Sequence, residues 1–277
     1  MLPETDATAI HKIFEELGPT ARLCIEYASD PEQLRDYEGE LDDEISNIMT
    51  GKLEELIKES TRLTMDAVSH KICLISCRDP KNMRSTPLVS PITDSIKSRL
   101  SNQLRNLQQA EWIRLFKQLE RVPGARATAG IVYEAQAQYL LQQGRCLEIS
   151  RLQALSQRVS VDIQLSETLE YMDDELESLE SNVFYVPEKT NKSALDSFIL
   201  LGDILYIFQM TIKPIHDINR GLIDSADRHN FPLRAKWRFV FIIPPNLVLK
   251  VPKPWKLELR SLSLYSAVAP VEMAQSR

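Results

Sequence analysis

No glycine-rich phosphate loop, no paired-cysteine framework and no apolar run of membrane-spanning length occurs in this 277-residue chain. Each absence removes a class of protein. A GxxxxGK[ST] segment is needed to cradle nucleotide phosphates, so no ATP site is assigned and ATP hydrolysis by this chain is not expected. Glycine numbers only 8, which leaves little material for long flexible linkers. The most apolar run, Phe198 to Ile212, is too short for a bilayer and carries Asp203, so no membrane association is expected. The opening residues Met-Leu-Pro-Glu-Thr-Asp have neither a basic nor an apolar region, and no signal peptide is expected.

Cysteine is also scarce. Cys24, Cys73, Cys77 and Cys146 form no CxxC pair. His70, Cys73 and Cys77 lie close enough in sequence to raise a zinc site. No fourth ligand stands nearby, however, and Ile72, Leu74 and Ile75 read as buried core. Reduced thiols in a nuclear or cytoplasmic compartment are expected.

A strongly basic balance is missing too. The formal net charge is -6, which gives no global nucleic-acid signal. The charge is uneven. From Ser181 to Arg277 there are 13 lysines and arginines against 8 acids, while the preceding residues are acidic in excess. A mildly basic C-terminal part can meet phosphates, or can be ordinary solvated surface.

What is present is a change of periodicity along the chain. Ile10, Ile13, Phe14 and Leu17 recur at helical spacing and stop at Gly18-Pro19. Asp30-Pro31-Glu32 opens a second helix with Leu34, Leu41, Ile45 and Ile48 on its apolar side. Leu53 to Met65 continues in the same way. The acid-rich faces of these helices read most simply as solvated surface. Arg78 to Pro91 is a polar, proline-bearing break. Ile92 to Leu119 reads as helix again, with Trp112, Leu115, Phe116 and Leu119 on or near one face. Pro123-Gly124 stops it, and Thr128 to Gln143 forms a further helix.

Beyond Gly144 the signals turn to strands. Arg145 to Leu152, Asn182 to Val186, Leu195 to Leu201, Ile204 to Ile212, Trp237 to Ile243 and Leu257 to Val268 are the candidates. Gln153 to Ser181 is polar and acidic and reads as an insertion or a loosely helical segment. Asp217 to His229 reads as a crossover helix. The expected fold class is α/β, a mixed sheet flanked by helices, preceded by an α-helical region. The expected boundary separates residues 1–122 from residues 123–277.

One hairpin gathers chemistry-bearing residues. If Gly202-Asp203 forms a two-residue turn, Leu201 pairs with Ile204, and Asp196 falls opposite Gln209. Thr211 and Lys213 follow Gln209 at period two on the same face. A carboxylate on a half-buried strand is costly unless it is paired or holds a metal. Two readings follow. Asp196 hydrogen-bonds Gln209 or a nearby main-chain amide in a purely structural role. Or Asp196 and Gln209 contribute to a Mg²⁺ site, since that ion takes hard oxygen ligands and needs only one or two carboxylates. A nearby lysine would then orient water or steady a phosphate.

Six segments carry a family resemblance. Gly130-Ile-Val-Tyr-Glu134, Phe184-Tyr-Val-Pro187, Ala194-Leu-Asp-Ser-Phe198, Phe208-Gln-Met-Thr211, Phe239-Val-Phe-Ile-Ile-Pro244 and Leu264-Tyr-Ser-Ala267 occur in this order. The series resembles the C-terminal domain of fungal Crinkler-type and retrotransposon-hot-spot-type proteins. That domain is assigned to the PD-(D/E)xK nuclease superfamily, with a restriction-endonuclease-like fold, and typically follows an NTPase module. The resemblance implies that Glu134 is the helix glutamate, Asp196 the metal-binding aspartate and Gln209 the first residue of the half-motif. Metal ligands would be Glu134, Asp196 and Gln209, and the cofactor Mg²⁺. Catalytic residues would be Asp196 and Gln209, with Lys213 or Thr211 aiding the attacking water. Thr211 departs from the pattern, because most active members have lysine there; Lys213 lies two residues on, and His216 is near.

The implied function is a metal-dependent nuclease-like effector domain acting on DNA, with catalysis impaired by that departure. The alternative is a catalytically inactive module of the same fold that binds nucleic acid, a host protein or a self protein. The front helices (Leu17-Gly-Pro-Thr20, Tyr27 and the helices after Asp30) resemble the segment that follows the NTPase core. The chain therefore looks like a C-terminal portion of such a protein, a short paralogue or a truncated product. Family members include secreted effectors.

Overall fold

The computed structural model describes residues 6–46, 71–77, 87–105, 107, 109–122, 125–144, 146–152, 158–163, 167–171, 176, 178–187, 195–218, 221–229, 231–252 and 257–269. The helix expected over Leu53 to Met65, the candidate ligand His70 and the Pro123-Gly124 stop lie outside them. The chain divides into two compact units, residues 1–132 and 133–277.

In the first unit, capping sets the helix ends. Asp6 accepts the main-chain N–H of Thr8 at 2.9 Å and starts α1 (Ala7–Leu17). Gly18, at φ +118°, ends it and passes its N–H to Phe14 O at 3.2 Å. After α2 (Ala21–Ala28), Asp30 accepts from the N–H groups of Glu32 and Gln33, both at 3.1 Å, and opens α3 (Pro31–Ser46). Ile13, Leu17, Cys24, Leu41 and Ile45 are the buried residues of these helices.

The acidic side of α3 is more than solvated surface. Lys71 bonds Glu40 at 2.9 Å and Glu44 at 3.2 Å, and Arg99 reaches Asp42 at 3.0 Å. Such part-exposed pairs contribute up to about 1 kcal/mol each.

The first unit is not helical throughout. β1 (Cys73–Cys77) and β2 (Pro87–Pro91) form an antiparallel pair, with Ile75 opposite Val89. The stretch read as a break thus ends in a strand. Pro87 and Pro91 sit at the two termini of β2, where a missing N–H is tolerated. The long helix expected over Ile92 to Leu119 is two helices, α4 (Asp94–Arg105) and α5 (Gln109–Arg121). Trp112, Leu115, Phe116 and Leu119 form the expected buried stripe, and the Trp112 indole donates to Val132 O at 2.9 Å.

α6 (Arg126–Gln142) crosses from the first unit into the second. Residues all round it are buried, including Ile131, Tyr133, Ala135, Gln136, Ala137 and Gln138. It therefore lacks the one-sided stripe of a surface helix.

The second unit is an eight-stranded mixed sheet in the order β4-β3-β10-β9-β8-β7-β6-β5. The strands are β3 (Cys146–Arg151), β4 (Arg158–Asp162), β5 (Glu167–Tyr171), β6 (Val183–Pro187), β7 (Ser197–Leu201), β8 (Ile204–Met210), β9 (Trp237–Ile243) and β10 (Ser263–Val268). β6, β7 and β8 run antiparallel in succession; β9 is parallel to both β8 and β10. β8 and β9 are joined through α7 (Leu222–Arg228), shorter than the helix expected over Asp217 to His229. The fold class is thus mixed α/β, as expected. The segment read as a polar insertion instead supplies β4 and β5, the two edge strands.

The Gly202-Asp203 turn forms as read from the sequence. Gly202 has φ +60°, the left-handed value that a two-residue hairpin with glycine first requires. The register is Leu201 with Ile204, Leu200 with Leu205 and Ser197 with Phe208. One face of the sheet packs under α7, with Phe198, Leu205, Ile207, Trp237, Phe239 and Phe241 against Leu222, Ile223 and Ala226. The other face is buried as well. There Ala137, Leu140 and Leu141 of α6 border a cavity together with Ile242 and Ala267. Burial on both faces explains why β9 is almost uninterrupted apolar sequence.

Phe198 anchors the α7 face. It is fully buried, its ring stacks on Tyr185 at 4.9 Å and meets Phe231 edge-on at 4.9 Å. Phe198→Ala is expected to cost about 3–5 kcal/mol, read as a lowered urea midpoint. Trp237 lies in the same cluster and its fluorescence reports the transition. A loss under about 1 kcal/mol would contradict this packing.

Candidate functional site

Main-chain pairing between β7 and β8 ends at Ser197 and Phe208, and a side chain continues it. The Asp196 carboxylate oxygen Oδ2 accepts the main-chain N–H of Met210 at 2.6 Å. The same oxygen accepts from the Gln209 amide Nε2 at 2.8 Å. A carboxylate can only accept, so the amide must present its nitrogen here. Asp196 thus takes the place of a carbonyl at the end of β7. Both bonds are charge-assisted, which shortens and strengthens them.

The sequence-derived register therefore brings Asp196 and Gln209 together. The interaction matches the structural alternative weighed for them, an aspartate held by the glutamine and by a main-chain amide. Two partners were not foreseen. One is the Met210 N–H, a main-chain group that no side-chain pattern reveals. The other is Gln138 on α6, whose amide donates to the main-chain oxygen of Asp196 at 3.1 Å. A glutamine among alanines and leucines on a helix was its only signal.

Glu134 stands on α6 one turn before Gln138 and is half-buried. Residues four apart share a helix face, so the face carrying Glu134 is the one that reaches the start of β7. The side chains of Asp196 and Gln209 lie on the α7 side of the sheet by register, since Gln209 is the partner of Phe241. α6 covers the opposite side. Glu134 thus shares the helix face of Gln138, and by register the structure does not bring it to the side chains of Asp196 and Gln209.

Thr211 and Lys213 are joined to each other. Thr211 is buried, its N–H donates to Ile242 O at 3.0 Å, and its hydroxyl accepts the N–H of Lys213 at 3.1 Å. Thr211 therefore shapes the turn after β8. The Lys213 side chain is exposed.

His216 returns to the same patch. Its N–H donates to Lys250 O at 3.2 Å, and the Lys250 N–H donates to Pro214 O at 2.8 Å. This pairing sets the imidazole edge-on to Phe241 at 5.8 Å, beside the strand position of Gln209. Burial depresses the imidazole's pKa below its usual 6.5, the Lys213 ammonium depresses it further, and Asp217 opposes the shift.

Of the candidate zinc ligands, His70 lies outside the described residues. Cys73 is buried, which pushes its thiol up to about 11 and favours the neutral form. Among the described residues no group of three histidines, cysteines or acids is arranged to hold a metal. A centre built on one carboxylate and an amide is of a different kind. Nor is any helix among the described residues long and apolar enough to cross a membrane.

Two expected outcomes follow from this geometry. Asp196→Ala leaves the Met210 N–H and the Gln209 amide without their acceptor and should cost about 1–3 kcal/mol in chemical denaturation. Asp196→Asn keeps an oxygen there and should cost less; equal losses would contradict the strand-end role. Because His216 binds its proton more weakly in the folded than in the unfolded chain, its contribution to stability is full above pH 6.5. That contribution declines as the pH falls through the folded-state value. In an NMR titration the His216 midpoint should lie below 6.5 and rise in Lys213→Gln; an unmoved midpoint would remove the lysine from the patch.

No protein-family model, curated protein or solved structure matches this chain, so the functional reading rests on its own residues.

Proposed function

We propose that the second unit is a restriction-endonuclease-like domain that hydrolyses phosphodiesters in DNA, slowly, with a divalent cation such as Mg²⁺. The observation that carries this reading is the contact between Asp196 and Gln209 at the end of β7 and β8. It joins a hard carboxylate to an amide that carries its own oxygen. Mg²⁺ suits such a poor donor set because it keeps most of its ligands as water. Asp196 and Gln209 would hold the ion, which would supply an activated water and stabilise charge on the phosphate; Glu134, expected as a third ligand, lies on the helix across the sheet from their side chains.

The chain's own residues then have defined tasks. Gln209 now points its nitrogen at Asp196 and must turn its amide to offer oxygen. Asp196 keeps its hold on Met210 N–H and so stays in place while the amide turns. The exposed ammonium of Lys213 meets the phosphate backbone. Thr211 spends its hydroxyl on the Lys213 N–H and cannot replace a lysine in orienting water. Hydrolysis is accordingly slow.

A second reading has its own support. One oxygen of Asp196 already takes two donors, which suits a carboxylate serving the fold. On that reading the unit binds nucleic acid or a protein partner without cutting.

Purified protein incubated with supercoiled plasmid separates the two. Slow nicking with Mg²⁺ or Mn²⁺, absent with EDTA and lost in Asp196→Asn, is the expected result. No nicking, or nicking that persists in Asp196→Asn, would sink the nuclease reading. DNA binding that survives in that variant and weakens in Lys213→Glu would then favour the second.

A further inference from the structure

Among the described residues the eight-stranded sheet ends in β4 on one side and β5 on the other, and the two strands differ in chemistry. β5, at one edge, reads Glu-Thr-Leu-Glu-Tyr, with Glu167 to Glu170 all exposed. Acidic residues on an edge discourage another strand from adding. β4, at the other edge, reads Arg158-Val-Ser-Val-Asp162. Among the described residues only β3 pairs with it, in a register that sets Ser150 opposite Arg158 and Cys146 opposite Asp162.

The β4 sequence is its own complement. If a second β4 is laid antiparallel about a two-fold axis through Ser160, Arg158 falls opposite Asp162 of the other copy. Val159 falls opposite Val161, and Ser160 opposite Ser160. Opposite charges then meet at both ends and apolar side chains meet between them, as a stabilising cross-strand set requires. A two-fold axis makes every contact occur twice, the rule for a closed dimer. Arg158, Ser160 and Asp162 are exposed, and Val159 keeps 44% of its surface in solvent, a large share for a valine on a folded sheet. A one-residue slip would oppose valine to charge and lose both ion pairs, so the register is specified.

We infer that the β4 edge is a homodimer interface, in which two copies of this chain join their sheets antiparallel through Arg158–Asp162. The occupant is a second copy because the strand's charge order matches its own reverse. A five-residue edge is small beside the roughly 1,200 Å² of the smaller stable interfaces, so the dimer is weak. Its Arg–Asp pairs lie near solvent, so added salt loosens it. The inference stands on the sheet edge alone and does not depend on nuclease activity.

Sedimentation equilibrium of the full chain tests it between about 1 and 100 µM. The expected result is a mass that rises from the 31.7 kDa monomer toward twice that value. Arg158→Asp sets two acids opposite each other and should weaken association at least tenfold; Asp162→Arg should do the same with two cations. The double exchange Arg158→Asp with Asp162→Arg restores opposite charges and should restore the dimer. A monomer at every concentration would overturn the proposal. So would association indifferent to Arg158→Asp, or a folded double variant that stays monomeric. Should the single variants not fold, hydrogen exchange on the unaltered protein decides: amides of residues 158–162 gain protection at high concentration if the interface is real, and an unchanged rate there overturns it.

Discussion

A strand that must end inside a protein leaves a main-chain N–H needing an acceptor. At Met210 that acceptor is the carboxylate of Asp196, and much of the candidate centre depends on this bond. It fixes the carboxylate at the end of β7, draws the Gln209 amide onto the same oxygen and leaves β8 free to continue its pairing with β9 as far as Thr211. Beyond Thr211 the chain turns out, and the loop returns His216 to the ring of Phe241. A buried N–H left without a partner costs more than an average hydrogen bond gains. The carboxylate is therefore constrained by the sheet before any ligand arrives. A side chain used for chemistry here has to do that work without leaving the strand end.

How far the sequence discloses this arrangement depends on the range of the interactions. The hairpin was legible because glycine and aspartate at 202 and 203 dictate a two-residue turn, and a turn fixes every later pair. β9 was legible because a strand buried on both faces is apolar at nearly every position. β4 and β5 were missed for the opposite reason. Each has only five residues, with charged side chains among the apolar ones, and takes its strand structure from the neighbour it pairs with, β3 for β4 and β6 for β5. α4 and α5 merged into one helix on paper because their apolar spacing carries across the break. β2 was hidden by the prolines that bound it.

The centre itself was half legible. Asp196 and Gln209 follow from counting along two strands. Their partners do not: Met210 contributes a main-chain group, and Gln138 comes from a helix on the far side of the sheet. The family resemblance led to the expectation that Glu134 joins the centre, while register sets the side chains of Asp196 and Gln209 on the sheet face away from its helix. Sequence motifs record which residues a fold can gather. Which face each one reaches is decided by packing.

The position of β10 has a consequence for how the protein is made. β10, the last strand among the described residues, lies between β3 and β9, in the interior of the sheet. Until residues 263–268 are in place, β3 with β4 and the block from β9 to β5 are separate pieces, each with a raw hydrogen-bonding edge where β10 will go. Long loops close at a cost that grows only slowly with their length, so the delay is in time more than in free energy. Throughout that interval the nascent chain carries two sticky borders that the finished protein never shows.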